Sequence, residues 1–173
     1  MEFQSCFDII GPVMVGPSSS HTAGAASIGR FTYELLGRCK PEKARITLYD
    51  SFAQTYQGHG TDKALLGGLL GMGPEDTRIK DALAIASDEN IDYSFLLEKD
   101  QCPYYDHPNT TIIVAEAGYR HVKVGGVSLG GGLSHIFLIN DAETTIRLST
   151  DDDFRSICNR LPLYMLTNDK REV

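Results

Sequence analysis

The sequence predicts an α+β fold in which an antiparallel sheet packs against helices. Helical spacing of apolar residues dominates the first half of the chain. Strand-like runs separated by turn residues follow in the second half, namely DYSFLLE, TTIIVAEA, HVKVGGVSL, SHIFLIN and TTIRLS. Because helices come mostly first and strands later, the order favours α+β over a regular βαβ alternation.

Residues that are typical of helix ends predict where the elements in the first half of the chain begin and end. The segment SSSHTAGAASIGRFTYELLG predicts a helix that begins near Ser20, since serine is a good N-cap, and ends at Gly37. Its many small residues predict that another element packs closely against its first turns. Residues 44–50 alternate like a half-buried strand. ALLGGLLGM, from Ala64, and TRIKDALAIASDEN predict further helices.

The chain is predicted to be a single domain, because its 173 residues match the common domain size. Residues 1–150 are expected to form the body, and residues 151–173 a C-terminal tail that belongs to the same domain or docks on a partner. The tail is expected to contain one short helix, DDFRSICNRL, and to be dispensable for the fold because its ends are polar. LPLYML is the segment of the tail that could dock on the core or on a partner.

Charge and cysteine spacing exclude several classes of function. A formal net charge of −7 argues against nucleic acid and anionic membranes as partners. No stretch is apolar for long enough to span a bilayer, and the N-terminus has no basic signal region, so the cytoplasm is expected. Cys6, Cys39, Cys102 and Cys158 are scattered, without a CxxC knuckle. They are expected to be structural or incidental, with no metal site in this chain.

The segment GPSSSHT offers a row of polar groups at the predicted start of the first helix. Ser18, Ser19, Ser20 and Thr22 supply hydroxyls and His21 supplies an imidazole. Unpaired N–H groups and the positive end of the helix dipole favour an anion there, such as a carboxylate. A serine-rich N-cap with a surface histidine explains the same residues about as well.

The segment GHGTD brackets His59 with two glycines, which let the backbone bring the imidazole close to a ligand or another chain. Thr61 or Asp62 is expected to cap the helix that follows, and both are candidate substrate ligands. A turn followed by an N-cap explains the glycines and Thr61, but it explains His59 less well.

The segment HPNTT precedes a predicted strand and supplies His107 and Asn109 as candidate substrate ligands. Taken alone, it is better explained as a turn. The glycines of residues 125–132 indicate a bulge, a tight turn, or room for a ligand or subunit. His121 and His135 lie in strand-like runs and are expected to be packing or surface residues. The residues alone therefore predict a site for an anionic or zwitterionic small molecule, without naming a reaction.

Four blocks resemble, in order, the β chain of bacterial iron–sulfur L-serine dehydratases. They are FDIIGPVMVGPSSSHTAGAASIGR, SFAQTYQGHGTDKALLGGLLG, HPNTTIIV and SLGGG, and the likeness covers about residues 3–150. The resemblance implies the fold of an allosteric substrate-binding domain, related to one in some phosphoglycerate dehydrogenases. It also implies conversion of L-serine to pyruvate and ammonia without pyridoxal phosphate.

In this family a 4Fe-4S cluster binds the substrate hydroxyl and a protein base takes the α-proton. The resemblance implies that the cluster cysteines lie in a partner α subunit. His59 and His21 are then the candidate catalytic residues, with His59 slightly favoured, and the polar residues named above are substrate ligands. A homodimer of this chain is a further expected assembly. The alternatives are a non-catalytic serine-binding regulatory subunit and a scaffold that only assembles with the α subunit.

Overall fold

The computed structural model describes residues 20–166. A single six-stranded sheet, in the order β2-β1-β3-β4-β5-β6, packs against helices. The strands are β1 (Lys43–Tyr49), β2 (Asp92–Glu98), β3 (Thr110–Ala117), β4 (Arg120–Gly130), β5 (Leu133–Ile139) and β6 (Ala142–Leu148). The helices are α1 (Ser20–Leu35), α2 (Asp50–His59), α3 (Thr61–Leu69), α4 (Ala82–Asp88), α5 (Phe154–Asn159) and α6 (Leu163–Leu166). The predicted α+β class is confirmed.

The sheet is mostly antiparallel, as predicted, but it contains one parallel pair of strands and is therefore mixed. Strands β1 and β2 pair in parallel, and the other neighbours pair antiparallel. The reason is the connection: α2, α3 and α4 lie between β1 and β2, and a crossover of this kind returns the chain to the same end of the sheet. Short turns join β3 to β6 in succession, so these strands reverse direction each time.

Close packing of helix α1 is confirmed, and glycines make it possible. A methyl group on Gly29 would overlap the carbonyl oxygen of Leu65 in α3, and one on Gly68 would overlap the carbonyl oxygen of Ala26. The two helix backbones therefore touch where they cross. Below them, Ile28 of α1 sits against Gly126 of β4. This contact holds α1 against the middle of the sheet. The first turn of α1 then lies at the edge where β4 turns into β5.

We expect Gly29→Ala to lower the free energy of unfolding by about 1–3 kcal/mol, because the added methyl must displace backbone. Alanine is the better helix former by about 1 kcal/mol, which works against this loss. Gly58→Ala in α2 is the matched control, since a methyl there meets nothing within 4 Å. Urea unfolding should show the control at or slightly above wild-type stability. Equal stabilities for both variants would contradict the helix crossing.

Helix α2 is an element to which the sequence analysis assigned no structure. Only Phe52 and Ala53 are buried in it, so residues 50–59 lack the apolar stripe that identifies a helix. Its last residue, His59, is followed by the C-cap Gly60, which takes the left-handed conformation with φ of 70° and is also the N-cap of α3. Thr61 and Asp62 were expected to cap α3; instead they are its first residues, and the N-cap position is Gly60, which has no side chain to form a cap.

The other sequence predictions for helices hold with small changes. The TRIKDALAIASDEN segment begins as a 3₁₀ turn over Thr77–Asp81 and continues as α4. The tail contains α5, where the carboxylate of Asp153 accepts a hydrogen bond from the Ser156 N–H at 3.2 Å. None of the helices within residues 20–166 has the length and apolarity to cross a membrane.

The described part of the tail packs into the main core, contrary to the expectation that the tail is dispensable. Phe154, Cys158 and Met165 are each at most 9% exposed and belong to the core cluster. The side-chain amide of Asn140 also donates a hydrogen bond to the Met165 carbonyl at 2.8 Å. These contacts join the tail to the turn between β5 and β6.

Candidate active site

The first turn of α1 carries three of the predicted polar residues. Ser20 is exposed, His21 is half-buried and Thr22 is buried. Ser18 and Ser19 lie outside the described residues, so their predicted substrate contacts stay predictions. The N–H groups of a helix's first turn have no partner within the helix, and the helix dipole adds positive potential. This end of α1 therefore has the chemistry to hold a carboxylate.

His59 is brought to this turn by the end of α2. The Thr22 hydroxyl donates a hydrogen bond to the His59 carbonyl oxygen at 3.1 Å, which ties α1 to the last residue of α2. The hydroxyl proton of Thr22 is committed to this bond. The Thr22 hydroxyl therefore holds the backbone of His59, and a direct contact between Thr22 and substrate stays a prediction.

His107 lies in the loop before β3, and its orientation is fixed by its neighbours. Its ring Nδ1 accepts a hydrogen bond from the Asn109 N–H at 3.2 Å, and its carbonyl accepts one from the Thr110 hydroxyl at 2.6 Å. A ring that accepts at Nδ1 carries its proton on Nε2 when neutral. His107 is therefore arranged as a hydrogen-bond donor through Nε2.

The three histidines are electrostatically coupled. Burial lowers the pKa of His21, and the nearby His59 lowers it further. Burial also lowers the pKa of His107, with a second contribution from His21 in the same direction, while Asp106 opposes the shift. Because both shifts disfavour the charged form, His21 and His107 are mainly neutral near pH 7. A neutral His21 can accept a proton.

A glycine turn between β4 and β5 closes the site on another side. Gly130, Gly131 and Gly132 have φ angles of 86°, 63° and 81°, which side chains rarely adopt. The Gly132 N–H donates to the Ser20 carbonyl at 3.3 Å, and a methyl on Gly130 would lie 3.3 Å from Nε2 of His21. The strand pairing is also bulged next to Ser128. The predicted tight turn and bulge are both confirmed, and the turn borders His21.

Ser128 is a residue of this site that the sequence analysis did not single out. It is fully buried at the end of β4, and its hydroxyl donates to the His21 carbonyl oxygen at 2.7 Å. Its N–H donates to the Asn109 carbonyl at 3.0 Å. Gly24 allows the approach, since a methyl there would overlap the Ser128 hydroxyl oxygen. Its position within the SLGGG block was the available signal.

Thr61 and Asp62 are buried at the start of α3, immediately after His59 and Gly60. One carboxylate oxygen of Asp62 accepts the Lys63 N–H at 2.8 Å, and burial raises the pKa of the Asp62 carboxyl. Substrate contacts by Thr61, Asp62 and the Asn109 side chain stay predictions.

The described cysteines do not fit a four-iron cluster. Such a cluster is normally held by cysteine thiolates. Burial raises the pKa of Cys102 and raises that of Cys158 to about 12, which keeps both thiols protonated near neutral pH. Cys39 is exposed, and within residues 20–166 no three His, Cys, Asp or Glu side chains are grouped to hold a metal ion. Cys6 lies outside this range, so the prediction of no cluster ligand in this chain stays a prediction.

Comparison with known proteins identifies the family. The family model described as serine dehydratase beta chain matches residues 5–133, which is most of the chain. The chain belongs to the serine dehydratase beta chain family. The matched segment includes His21, His59, His107, Ser128 and Gly130.

Three similar proteins are named as L-serine dehydratases or their beta chains. The chain is 50% identical over 149 residues to a probable L-serine dehydratase beta chain of Bacillus subtilis, covering 86% of this chain and 65% of that protein. It is 40% identical over 137 residues to the L-serine dehydratase beta chain of Peptoniphilus asaccharolyticus, covering 79% of this chain and 60% of that protein. L-serine dehydratase 2 of Escherichia coli is 30% identical over 150 residues, covering 74% of this chain and 32% of that protein. The chain thus spans less than two thirds of the length of each of these relatives.

Proposed function

We propose that this chain is the β subunit of an L-serine ammonia-lyase, which converts L-serine to pyruvate and ammonia together with an α subunit. The observation that carries the proposal is that the Thr22 hydroxyl, next to His21, bonds to the His59 carbonyl, while His21 lies near enough to His107 to lower its pKa, in a chain of the serine dehydratase beta chain family. These residues are far apart in sequence, which supports a site formed by folding and not by one local motif. The cytoplasm stays the expected compartment.

In this proposal the start of α1 binds the substrate carboxylate. Its N–H groups and the hydroxyls of Ser18, Ser19 and Ser20 supply donors of the kind that carboxylates accept. His107 adds a donor through Nε2, because its Nδ1 is occupied by the Asn109 N–H. Holding the carboxylate at this end of α1 brings the α-carbon toward the imidazoles of His21 and His59.

His59 or His21 then removes the α-proton, and loss of the β-hydroxyl as water gives aminoacrylate. This enamine tautomerises to the imine, which water hydrolyses to pyruvate and ammonia. A neutral imidazole suits the first step, since its unperturbed pKa of ~6.5 lies near the working pH. We assign the 4Fe-4S cluster to the α subunit, because the described thiols of this chain do not fit it; when bound there, it would supply Lewis-acid chemistry toward the leaving hydroxyl.

We expect the isolated chain to be colourless and without serine dehydratase activity, and to become active only when mixed with its α subunit under anaerobic conditions. The measurements are the visible absorption spectrum after reconstitution with iron and sulfide, and pyruvate formation from L-serine. A stable brown chromophore on this chain alone would contradict the assignment of the cluster to the partner.

The alternative is a non-catalytic subunit that binds serine for regulation or assembly. It predicts that His21→Ala and His59→Ala leave turnover in the complex unchanged and alter only the response to serine. Light scattering of the isolated chain tests the expected homodimer separately, since neither function depends on it.

A further inference from the structure

We propose that Ser128 is a positioning residue, which sets the histidines of the site relative to one another without contacting substrate. This inference rests on the proposed function and extends it to a buried serine in strand β4. Ser128 uses both of its hydrogen-bond donors on the site: its hydroxyl on the His21 carbonyl at 2.7 Å and its N–H on the Asn109 carbonyl at 3.0 Å. It therefore joins the first turn of α1 to the loop that carries His107.

A second bond carries the connection on to His59. Thr22 follows His21 directly, and its hydroxyl donates to the His59 carbonyl at 3.1 Å. Fixing the His21 backbone therefore also fixes the residue that holds His59. Both residues are almost completely buried, with exposures of 0% for Ser128 and 1% for Thr22, so water has little access to either hydroxyl.

The surroundings of Ser128 are shaped for this contact. Gly24 has no side chain on the face of α1 that meets Ser128, and a methyl there would overlap the serine hydroxyl. On the other side, Gly130 follows Ser128 by two residues and borders Nε2 of His21. A loss of the Ser128 hydroxyl would let the first turn of α1 shift, and a shift of about 1 Å at a catalytic group can cost about 10²-fold in rate.

Ser27 is a matched control on the same helix. It is 1% exposed, and its hydroxyl donates to the Ala23 carbonyl at 3.3 Å, one turn earlier in α1. Ser27→Ala therefore removes a buried hydroxyl-to-carbonyl bond of the same chemistry that has no link to a histidine. General loss of stability should affect both serine variants, whereas a positioning effect should appear only at Ser128.

The experiment compares Ser128→Ala and Ser27→Ala in the assembled two-subunit enzyme and in the isolated chain. In the complex, we expect Ser128→Ala to lower kcat by about 10- to 100-fold with a smaller change in KM, and Ser27→Ala to leave kcat unchanged. In the isolated chain, NMR titration should show the pKa of His21 rising toward its ordinary value only in Ser128→Ala, because a loosened turn exposes the ring to water. Ser128→Cys replaces the hydroxyl with a weak donor on a slightly larger side chain, so it should show the same fall in kcat.

Wild-type kcat in Ser128→Cys, or equal kcat and equal His21 titration in Ser128→Ala and Ser27→Ala, would overturn the inference. Failure of the proposed function gives a different result, because His21→Ala and His59→Ala would then both retain normal kcat. A strong loss in either histidine variant, combined with no effect at Ser128, rejects the positioning role and leaves the proposed function standing.

Discussion

Replacing His59 with alanine in the assembled enzyme is expected to lower kcat by roughly 10²- to 10⁴-fold, the usual cost of losing a general base. His59 ends α2, and its carbonyl is held by Thr22 beside the half-buried His21. His21→Ala is the companion variant, and we expect at least one of the two to show the full loss. Iron content and assembly with the α subunit should be unchanged, because neither residue belongs to the core. Stopped assays of pyruvate formation at saturating L-serine measure the effect.

His121→Ala is the control, since His121 is an exposed histidine beside Glu116 on β3 and β4, away from the first turn of α1. It should retain wild-type kcat.

A base function of His21 also predicts the pH dependence of kcat/KM. Its acid limb should lie below the ordinary histidine pKa of ~6.5, because burial and His59 lower the pKa of His21. Near-normal kcat in both His59→Ala and His21→Ala would place the base on the α subunit.

Removing the tail after residue 150 is expected to destabilise the fold by at least about 3 kcal/mol, or to leave the chain insoluble. Phe154, Cys158 and Met165 fill the main core, and loss of a single buried phenylalanine side chain costs about 3–5 kcal/mol. The truncation would also free the Asn140 amide from the Met165 carbonyl. Urea unfolding of the truncated and full-length chains measures the difference.

Alanine variants of two aromatic residues in the tail test whether lost core packing, and not loss of the tail in general, lowers the stability. Phe154 is 8% exposed, whereas Tyr164 is 65% exposed. Phe154→Ala should therefore account for much of the loss, and Tyr164→Ala should be close to wild type. A truncated chain with wild-type unfolding would restore the expectation that the tail is dispensable.

The sequence predicted the elements that have a clear apolar pattern. It missed features that depend on how the elements contact one another. Strands β3, β4 and β5 contain runs of mostly buried residues between turn residues, and their predicted positions are confirmed. Helix α2 was missed because only two of its side chains are buried. The parallel pairing of β1 with β2 was also missed, since strand direction depends on how the intervening helices cross the sheet.

The site could be predicted in part. The glycines around His59 and the hydroxyls before His21 drew attention to residues that the structure brings together. His107 was better explained as part of a turn, and its coupling to His21 is visible only in three dimensions. Only its place in the SLGGG block pointed to Ser128, because its two hydrogen bonds join residues that are distant in the chain.

The hydrogen bonds that position the histidines are long-range in sequence, and this links ligand binding to folding. Ser128 reaches His21 across a separation of 107 residues, and Thr22 reaches His59 across 37. If either segment opens locally, the site is lost. A ligand that binds only the intact site therefore stabilises the native state against unfolding. Mass action makes this stabilisation about 2.7 kcal/mol at a ligand concentration of about 100 times Kd. The domain would then be most resistant to proteolysis in cells where its ligand is abundant, and its own turnover would follow the supply of the compound that it binds.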